Sequence, residues 1–560
     1  MSSEFSFLGQ WFGIFTYLGH HVLLHVLALL VVYIFANEIV RSRRRIPGLK
    51  GPNGWPIIGN LREVRVDAAQ KYRDWAETYG DVYQVQMGDI PVVVANSPAA
   101  VKALWITNSQ ALSSRPQTYT FHKVASGISG FTIGTSPYDE SLKRRKKGAA
   151  MALNRPAIQS YIPYLDLETK DFVKDLFSYG KGGTAAIDPL PMVQRLAMSL
   201  ACTINWGIRM RSHEDDLFKE IVEVEEEMNR FRSTQSNLQD YIPLLRLKPF
   251  NSQSAKARQM KARRARFMKQ FDDELRDKIA RGTNEPCIQA SVITFKEDKL
   301  NETELNSISL SMISGGFETV SNTVGFSLGF LAQRPDIQER AFEEICKFQE
   351  VSPGNSPDPL CDAGDDQRCM YIVALAKEAL RYFTIIPLVL PRESIRDINY
   401  EGVVIPKGTT FYMNAWACNY HRDLWHDPEV FRPERWLEQP DATLYTFGLG
   451  YRMCSAHMLA QRQLYLILMR TLSSFRLEPH GVVDCDPRTS KRDPSDLIMS
   501  ARPYKILCIP GTARDWHAQS PMSTSRSLLL LHRTRGPVGR RMPRTLAVAF
   551  PPAPTQFILQ

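Results

Sequence analysis

The chain has 560 residues and is 44% hydrophobic, 23% charged and 10% aromatic, a globular composition that excludes wholesale disorder, collagen-like repeats and a polytopic membrane protein. Its formal net charge is +10, of which Arg41, Arg43, Arg44 and Arg45 carry four and the stretch after residue 511, with seven Arg against one Asp, carries six. The remaining body is neutral, so the charge gives no ground for nucleic acid as a partner.

Residues 11–36 contain no Asp, Glu, Lys or Arg, and residues 22–36 read VLLHVLALLVVYIFA. About 20 predominantly apolar residues cross a bilayer as a helix. A cleaved signal peptide would carry its basic residues before the apolar run, whereas here RSRRR follows it. A retained single-pass anchor in membrane lipid is therefore expected at 11–36. Residues 1–10 would be a short lumenal N-terminus, with everything downstream cytosolic by the positive-inside rule. Residues 37–60 are basic and then rich in Pro and Gly, and read as a stiff linker.

The body is expected to span 61–511. Residues 67–80 begin with a capping Asp and end with Gly, which predicts a helix. Two β-rich runs around Gly88-Asp89 then predict a hairpin, and Ser97-Pro98 predicts the cap of a short helix. Helical periodicity dominates afterwards, over 165–178, 214–232, 255–281, 302–333, 335–350 and 370–383, with β-like pieces near 398–404 and 409–412. There is no internal repeat. Residues 352–367 are polar and rich in Pro and Gly, and read as a surface loop. These features predict one large, mainly α domain with small β-sheets. The nine cysteines are odd in number and form no CxxC pair, which excludes a disulfide framework and a zinc site and fits a reducing compartment. Residues 512–560 read as a basic, mostly disordered tail.

Three segments carry chemistry. In FGLGYRMCSAHMLAQRQLYLILMRTL, Cys454 immediately precedes an apolar-periodic helix, where backbone N–H groups stabilise a thiolate. Gly448 and Gly450 permit a tight turn against a bulky ligand, and Arg452 offers a fork for a carboxylate. A lone cysteine is more often an inert buried thiol, but this loop argues for more. In Lys377-Glu378-Ala379-Leu380-Arg381, Glu378 and Arg381 share a helix face. By itself that is a surface ion pair of little weight. In Gly315-Gly316-Phe317-Glu318-Thr319, two glycines inside a helix cost about 1 kcal/mol each relative to Ala. Close helix packing would explain them, and so would room for a ligand. Thr319 can back-bond to the Gly315 carbonyl, and Glu318 can relay protons.

In order and spacing these segments resemble the cytochromes P450. Phe447, Gly450, Arg452 and Cys454 match the signature F-x-x-G-x-R-x-C-x-G, with Ala456 at its last glycine. The resemblance implies the P450 fold, a large helical domain with small β-sheets, behind the N-terminal transmembrane helix. It implies haem b bound through the Cys454 thiolate, which favours O–O cleavage. Phe447 would shield the thiolate, with Gly450 in the turn, and Arg452 and Arg392 would meet haem propionates. Where many members carry W-x-x-x-R, this chain has Ser141-Leu142-Lys143-Arg144-Arg145-Lys146-Lys147 without Trp, and Arg145 is the expected propionate contact. Glu378 and Arg381 with Arg435 of FRPERW match ExxR and PER, which implies a buried structural triad. Glu318 and Thr319 match the oxygen-activation motif and would be catalytic. The resemblance further implies NADPH used indirectly through NADPH–cytochrome P450 reductase, O2 as co-substrate, and the endoplasmic reticulum membrane as location.

Finer likeness lies in TIGTSPYDESLKRRKKGAAMALNRPAIQSYIP, FRSTQSNLQDYIPLL and FYMNAWACNYHRD. These are similar to the fungal phenylacetate and 3-hydroxyphenylacetate hydroxylase group and to relatives that hydroxylate m-cresol and 3-hydroxybenzyl alcohol. A monooxygenase of a small phenolic or aryl-acid substrate is implied, in catabolism or secondary metabolism, with ring and benzylic hydroxylation both open. Such a pocket is small and apolar with one polar anchor. By position it would draw on Phe121, His122, Lys123, Phe231, Arg232 and Phe317, with Thr384 and the residues on to 388 along the wall, and with His122, Lys123 or Arg232 holding a carboxylate. The alternatives are an oxygen-independent haem-thiolate isomerase or dehydratase, which Glu318-Thr319 argues against, and a non-catalytic basic membrane protein.

Overall fold

The computed structural model describes residues 2–127, 131–233, 235–247, 251–294, 300–352 and 355–511. The expected tail at 512–560 lies outside the described residues.

The apolar N-terminal run forms one helix, α1 (Ser2–Arg44), whose stretch His20–Arg44 is long and apolar enough to cross a membrane, with mean hydropathy 2.2. The helix does not stop at residue 36. Arg41 reaches back one turn to Glu38, Nε to Oε2 2.9 Å, and carries the helix past the apolar run. Residues 46–60, within the stiff linker expected at 37–60, pack on the body. Ile46 donates its N–H to Gln84 Oε1 at 2.9 Å, and its carbonyl accepts from Gln84 Nε2 at 2.8 Å. A Cβ on Gly51 or Gly59 would come within 1.8 and 2.1 Å of the carbonyl oxygens of Gln84 and Gln86. The glycines that suggest an elbow are needed because two backbones touch.

Helix α2 (Ala68–Tyr79) starts where the Asp67 carboxylate accepts the Gln70 N–H at 3.2 Å. Strands β1 (Val82–Met87) and β2 (Ile90–Ala95) form the expected hairpin. The long helices follow: α3 (Glu140–Ala152), α4 (Ile162–Tyr179), α5 (Leu190–Trp206), α6 (Asp216–Arg232) and α7 (Ser252–Ala280). Next come α8 (Glu302–Gly316), α9 (Glu318–Ala332), α10 (Pro335–Phe348), α11 (Met370–Phe383) and α12 (His457–Ser474). Helix α5, which the sequence reading passes over, is buried almost all round, against α4, α8 and α9, its polar stripe of Arg195, Ser199 and Thr203 included.

The helix expected over 302–333 is bent into α8 and α9 at Phe317, where ψ is −71°. The backbone ladder continues through the bend, with Phe317 N–H to Ile313 O and Ser321 N–H to Phe317 O both 3.1 Å. Thr319 Oγ1 donates to Gly315 O at 2.7 Å, and this competing bond lies at the bend.

Strands β3 (Arg392–Glu393), β4 (Ile398–Tyr400), β5 (Val403–Ile405) and β6 (Thr410–Met413) follow α11, and β7 (Phe475–His480) and β8 (Lys505–Pro510) follow α12. The main sheet has the order β1-β2-β6-β3. Within it β2 and β6 are parallel, with Val92 opposite Thr410. Two antiparallel pairs, β4–β5 and β7–β8, stand apart. The main apolar core surrounds α9, which packs on α5, α10, α11 and α12.

Candidate functional site

A cavity of about 320 Å³ lies between the α8–α9 bend and the loop preceding α12, with walls from α3, α5 and α11. Cys454 lines it from the loop. The Cys454 N–H donates to Phe447 O at 2.9 Å, which closes the loop on itself. Gly450 is obligatory in this loop: its φ is +64°, and a Cβ would stand 2.3 Å from Trp105 O. Cys454 is the one exposed cysteine of the nine, and the space it faces is this cavity. Burial pushes its thiol up, and the Ala456 N–H opposes that.

The opposite wall carries Gly315, Gly316, Thr319 and Thr323. A Cβ on Gly315 would meet nothing within 4 Å, so this glycine keeps part of the cavity open rather than serving helix packing. Glu318 does not line the cavity. Its Oε2 accepts from Asn229 Nδ2 of α6, and burial together with Glu226 and Glu225 holds its carboxyl well above the usual carboxylate range.

Four cations line the cavity: Arg115, Lys146, Arg392 and Arg452. None makes an ion pair among the described residues. Arg452 is spent on backbone, donating to Ser113 O (3.0 Å), Ser136 O (2.9 Å) and Ile133 O (2.8 Å). Arg115 donates to Gly134 O at 2.9 Å and Pro391 O at 2.6 Å, and Lys146 to Tyr451 O at 2.6 Å. Arg392 donates to Leu449 O, and its buried Nη1 has no partner. Burial and then Arg452 push Arg392 down to about 9, and burial and the neighbouring arginines push Lys146 down to about 8. A cluster that so disfavours its own charge is built to meet an anion.

Arg145, expected here, lies elsewhere. It is buried on the other face of α3, where Nη1 donates to Ser136 Oγ (2.8 Å), Ser307 Oγ (2.6 Å) and Phe131 O (3.1 Å). Lys146 faces the cavity instead, since one residue turns a helix by about 100°. Arg115, too far upstream for any motif to mark it, is the other cation that sequence reasoning misses.

Behind the cavity wall, Glu378 is clamped without an unmet hydrogen bond. Arg381 donates Nε and Nη2 to its two oxygens at 2.8 Å each, Arg435 Nε at 3.2 Å, Trp436 Nε1 at 3.0 Å and the Arg432 N–H at 2.8 Å. Arg381 also holds Asn419 O at 3.0 Å. Asn419 in turn accepts the Tyr445 N–H at 3.1 Å and donates to Thr446 Oγ1 at 3.1 Å, so the clamp reaches the loop that carries Cys454.

The expected substrate residues scatter. Of the stretch 384–388 expected along the wall, Ile385 and Ile386 line the cavity, while Thr384 caps α11, donating to Arg381 O at 2.6 Å. Phe317 is buried in the core at the bend. Lys123 is exposed at the surface. His122 spends both ring nitrogens, Nδ1 accepting the Thr118 N–H at 2.9 Å and Nε2 lying 3.0 Å from Thr135 O. Phe231 is buried, and Phe121 lies beneath the Arg232 guanidinium, 4.7 Å from carbon to ring centre.

Residues 49–508 match the family model for cytochrome P450. The chain is 55% identical to 3-hydroxyphenylacetate 6-hydroxylase of Emericella nidulans, over 86% of this chain and 92% of that protein. It is 39% identical to phenylacetate 2-hydroxylase of the same organism, over 89% and 98%, and 37% identical to the cytochrome P450 monooxygenase CYP3 of Mycosarcoma maydis, over 88% and 92%. The chain belongs to the cytochrome P450 family, and it is a monooxygenase with the family's haem-thiolate cofactor. The residues present fit that group: a soft thiol on one wall, and four cations without a counter-ion, one with an orphaned donor, to meet its carboxylates. The family match begins at residue 49, in agreement with the packing of 46–60 on β1.

Proposed function

We propose that this monooxygenase hydroxylates a small aromatic substrate, phenolic or aryl-acid, with O2 and electrons passed from NADPH by NADPH–cytochrome P450 reductase. It acts as a single-pass protein of the endoplasmic reticulum membrane with its body in the cytosol. The observation that carries this reading is the one cavity shared by Cys454 and the Gly315–Thr319 bend, in a chain 55% identical to a named aromatic hydroxylase.

Cys454 would ligate haem b, with Phe447 beside it in the same loop. Arg392, Arg452, Arg115 and Lys146 would neutralise the haem carboxylates. When bound, haem supplies thiolate-supported activation of dioxygen. Gly315 leaves the space in which the reacting carbon and oxygen meet, and the apolar side chains of Met312, Ile385 and Ile386 keep bulk water from it. Thr319 presents a hydroxyl at the bend, and burial beside Glu226 and Glu225 holds the neighbouring Glu318 carboxyl well above the usual carboxylate range, which favours its protonated form and lets the pair hold and pass a proton there. Asn229 fixes the Glu318 carboxyl. The Glu378–Arg381–Arg435 clamp positions the Cys454 loop and takes no part in the reaction.

The test is turnover by the solubilised full chain with reductase, NADPH and a panel of phenylacetate, 3-hydroxyphenylacetate, m-cresol and 3-hydroxybenzyl alcohol. At least one hydroxylated product that requires O2 is expected. Turnover that persists without O2 would replace this reading with an isomerase or dehydratase.

A further inference from the structure

A second cavity, of about 310 Å³, lies on the other side of α8 from Cys454. Leu305, Asn306 and Leu310 face it, whereas Ile308, Ser311, Met312 and Gly315 face the first, and no residue lines both. Its other walls are α7, the helical segment Tyr119–Ser126 and the short helix Ile288–Thr294. Helices α7 and α8 run antiparallel along it. Arg264 donates to Ser314 at one end, and Arg276 lies 3.5 Å from Glu302 at the other. The floor between is apolar, with Met228, Met268, Leu305 and Leu310, while Ala265 on the rim is exposed, so the cavity is a cleft open to solvent.

Charge is sorted along the cleft. At the Arg276 end all three acids are engaged: Asp273 pairs with Lys269 at 2.6 Å, Glu302 with Arg276, and Asp272 accepts the Trp206 indole N–H at 2.7 Å. At the other end Arg264, 5% exposed, gives Nη2 to Glu225 Oε2 at 2.7 Å, but its Nε has no partner. Lys261, half-buried, stands one turn earlier on the same face of α7. A Cβ on Gly127 would come within 2.4 Å of its ammonium, which places that charge where α7 meets the segment Tyr119–Ser126. Among the described residues it has no carboxylate partner. A cation without a counter-ion beside a buried donor without an acceptor is a costly arrangement that an anion would complete.

We infer that this cleft is a second ligand site, which takes a small aliphatic monocarboxylate with its head at Lys261 and Arg264 and its chain along Met268 and Leu305. Two carboxylate oxygens match the two unspent donors, Lys261 Nζ and Arg264 Nε. One unbalanced cation calls for one negative charge, and a dianion would bring an excess toward Asp272, Asp273 and Glu302. The volume is that of a small-molecule pocket, and methionine side chains adapt to an aliphatic body. The site is separate from the reaction cavity and does not rest on the reading of the substrate.

Calorimetry on the haem-loaded full chain in lipid discs tests the inference, with excess imidazole to occupy the cavity at Cys454 and empty discs as the blank. Hexanoate should bind once per chain and at least about tenfold more tightly than its neutral isostere hexanamide. Hexyl phosphate, a dianion at pH 8, should bind more weakly than hexanoate. Lys261→Gln should weaken hexanoate about tenfold, as for a lost charge-assisted hydrogen bond, and change hexanamide by less than about twofold. Ala265→Trp, an exposed position that tolerates a larger side chain, should weaken acid and amide alike by crowding the cleft. Absence of hexanoate binding overturns the inference, as do equal binding of acid and amide and tighter binding of hexyl phosphate. A Lys261→Gln chain that keeps its hexanoate affinity, or loses acid and amide equally, overturns it too, and so does an Ala265→Trp chain that binds hexanoate as the wild type does.

Discussion

The molecule holds two buried glutamate–arginine clusters, one behind the cavity wall at Glu378 and one beneath α6 at Glu225. At Glu378 every donor and acceptor is used: two guanidinium groups, an indole N–H and a backbone N–H converge on one carboxylate. At the α6 cluster, Glu225 Oε1, Arg232 Nε and Arg264 Nε are buried without partners. Buried polar groups in folded proteins are nearly always satisfied. The saturated cluster is therefore finished architecture, while the unsaturated one holds its charges at a higher cost. The first supports the wall that presents Cys454, and the second ties α6 to α7 and α8.

The comparison can be broken hardest at the cysteine. Cys454→Ser should abolish the thiolate-type spectrum of the reduced carbon-monoxide complex and all product, because a hydroxyl is a poor soft donor. Next is the saturated cluster. Glu378→Ala leaves two buried guanidinium groups facing each other, a loss of about 3–5 kcal/mol for a broken buried pair. Little folded, haem-containing protein should be recovered, as measured by thermal melting and haem content. A smaller effect of opposite sign is expected at the bend. Gly315→Ala adds a methyl to open space and should stabilise the helix by up to about 1 kcal/mol, yet slow turnover by filling the cavity. A higher melting point with lower kcat/KM separates room for chemistry from room for packing.

The smallest effect sharpens the comparison through pH. Asp240 accepts the Thr120 N–H at 2.6 Å and thereby holds the segment that carries Phe121. Burial pushes its carboxyl up to about 6, against the Thr120 bonds and Arg246. Between about pH 4 and 6 the folded chain holds this proton and the unfolded chain has lost it, so stability falls as pH rises through that window. Asp240→Asn should flatten that part of a melting-temperature profile measured from pH 4 to 7.

What the sequence discloses follows the same division. The Cys454 loop, Glu378 with Arg381, and the Gly315–Thr319 bend are short segments, in which backbone geometry and side-chain chemistry lie within a few residues. The helix 370–383 is read to the residue because one of its faces is apolar and the other is not. Helix α5 is missed because even its polar stripe of Arg195, Ser199 and Thr203 is buried, and in residues 46–60 the glycines mark close approach to the body as well as a stiff linker. The slip from Arg145 to Lys146 moves the side chain to another face of α3, which no composition reveals. The contacts of Arg232 with Phe121 and Ser314 join residues about a hundred positions apart, and only the folded chain brings them together.

The junction between α1 and the body has a consequence for how the enzyme meets its partner. The helix runs unbroken to Arg44, Arg44 pairs with Asp89 at the β1–β2 turn, and two residues further on Gln84 grips Ile46 by both its N–H and its carbonyl. A catalytic body fastened in this way does not sway on a string. With α1 in a bilayer, as proposed above, the body's height and heading would be set by one stiff rod, and an electron donor in the same membrane would search for it in two dimensions and find the same side presented at each encounter. Inserting three glycines after Ile46 would loosen the rod while leaving the cavity intact. Its cost should fall on the rate of reduction in the membrane and spare turnover driven by a chemical reductant.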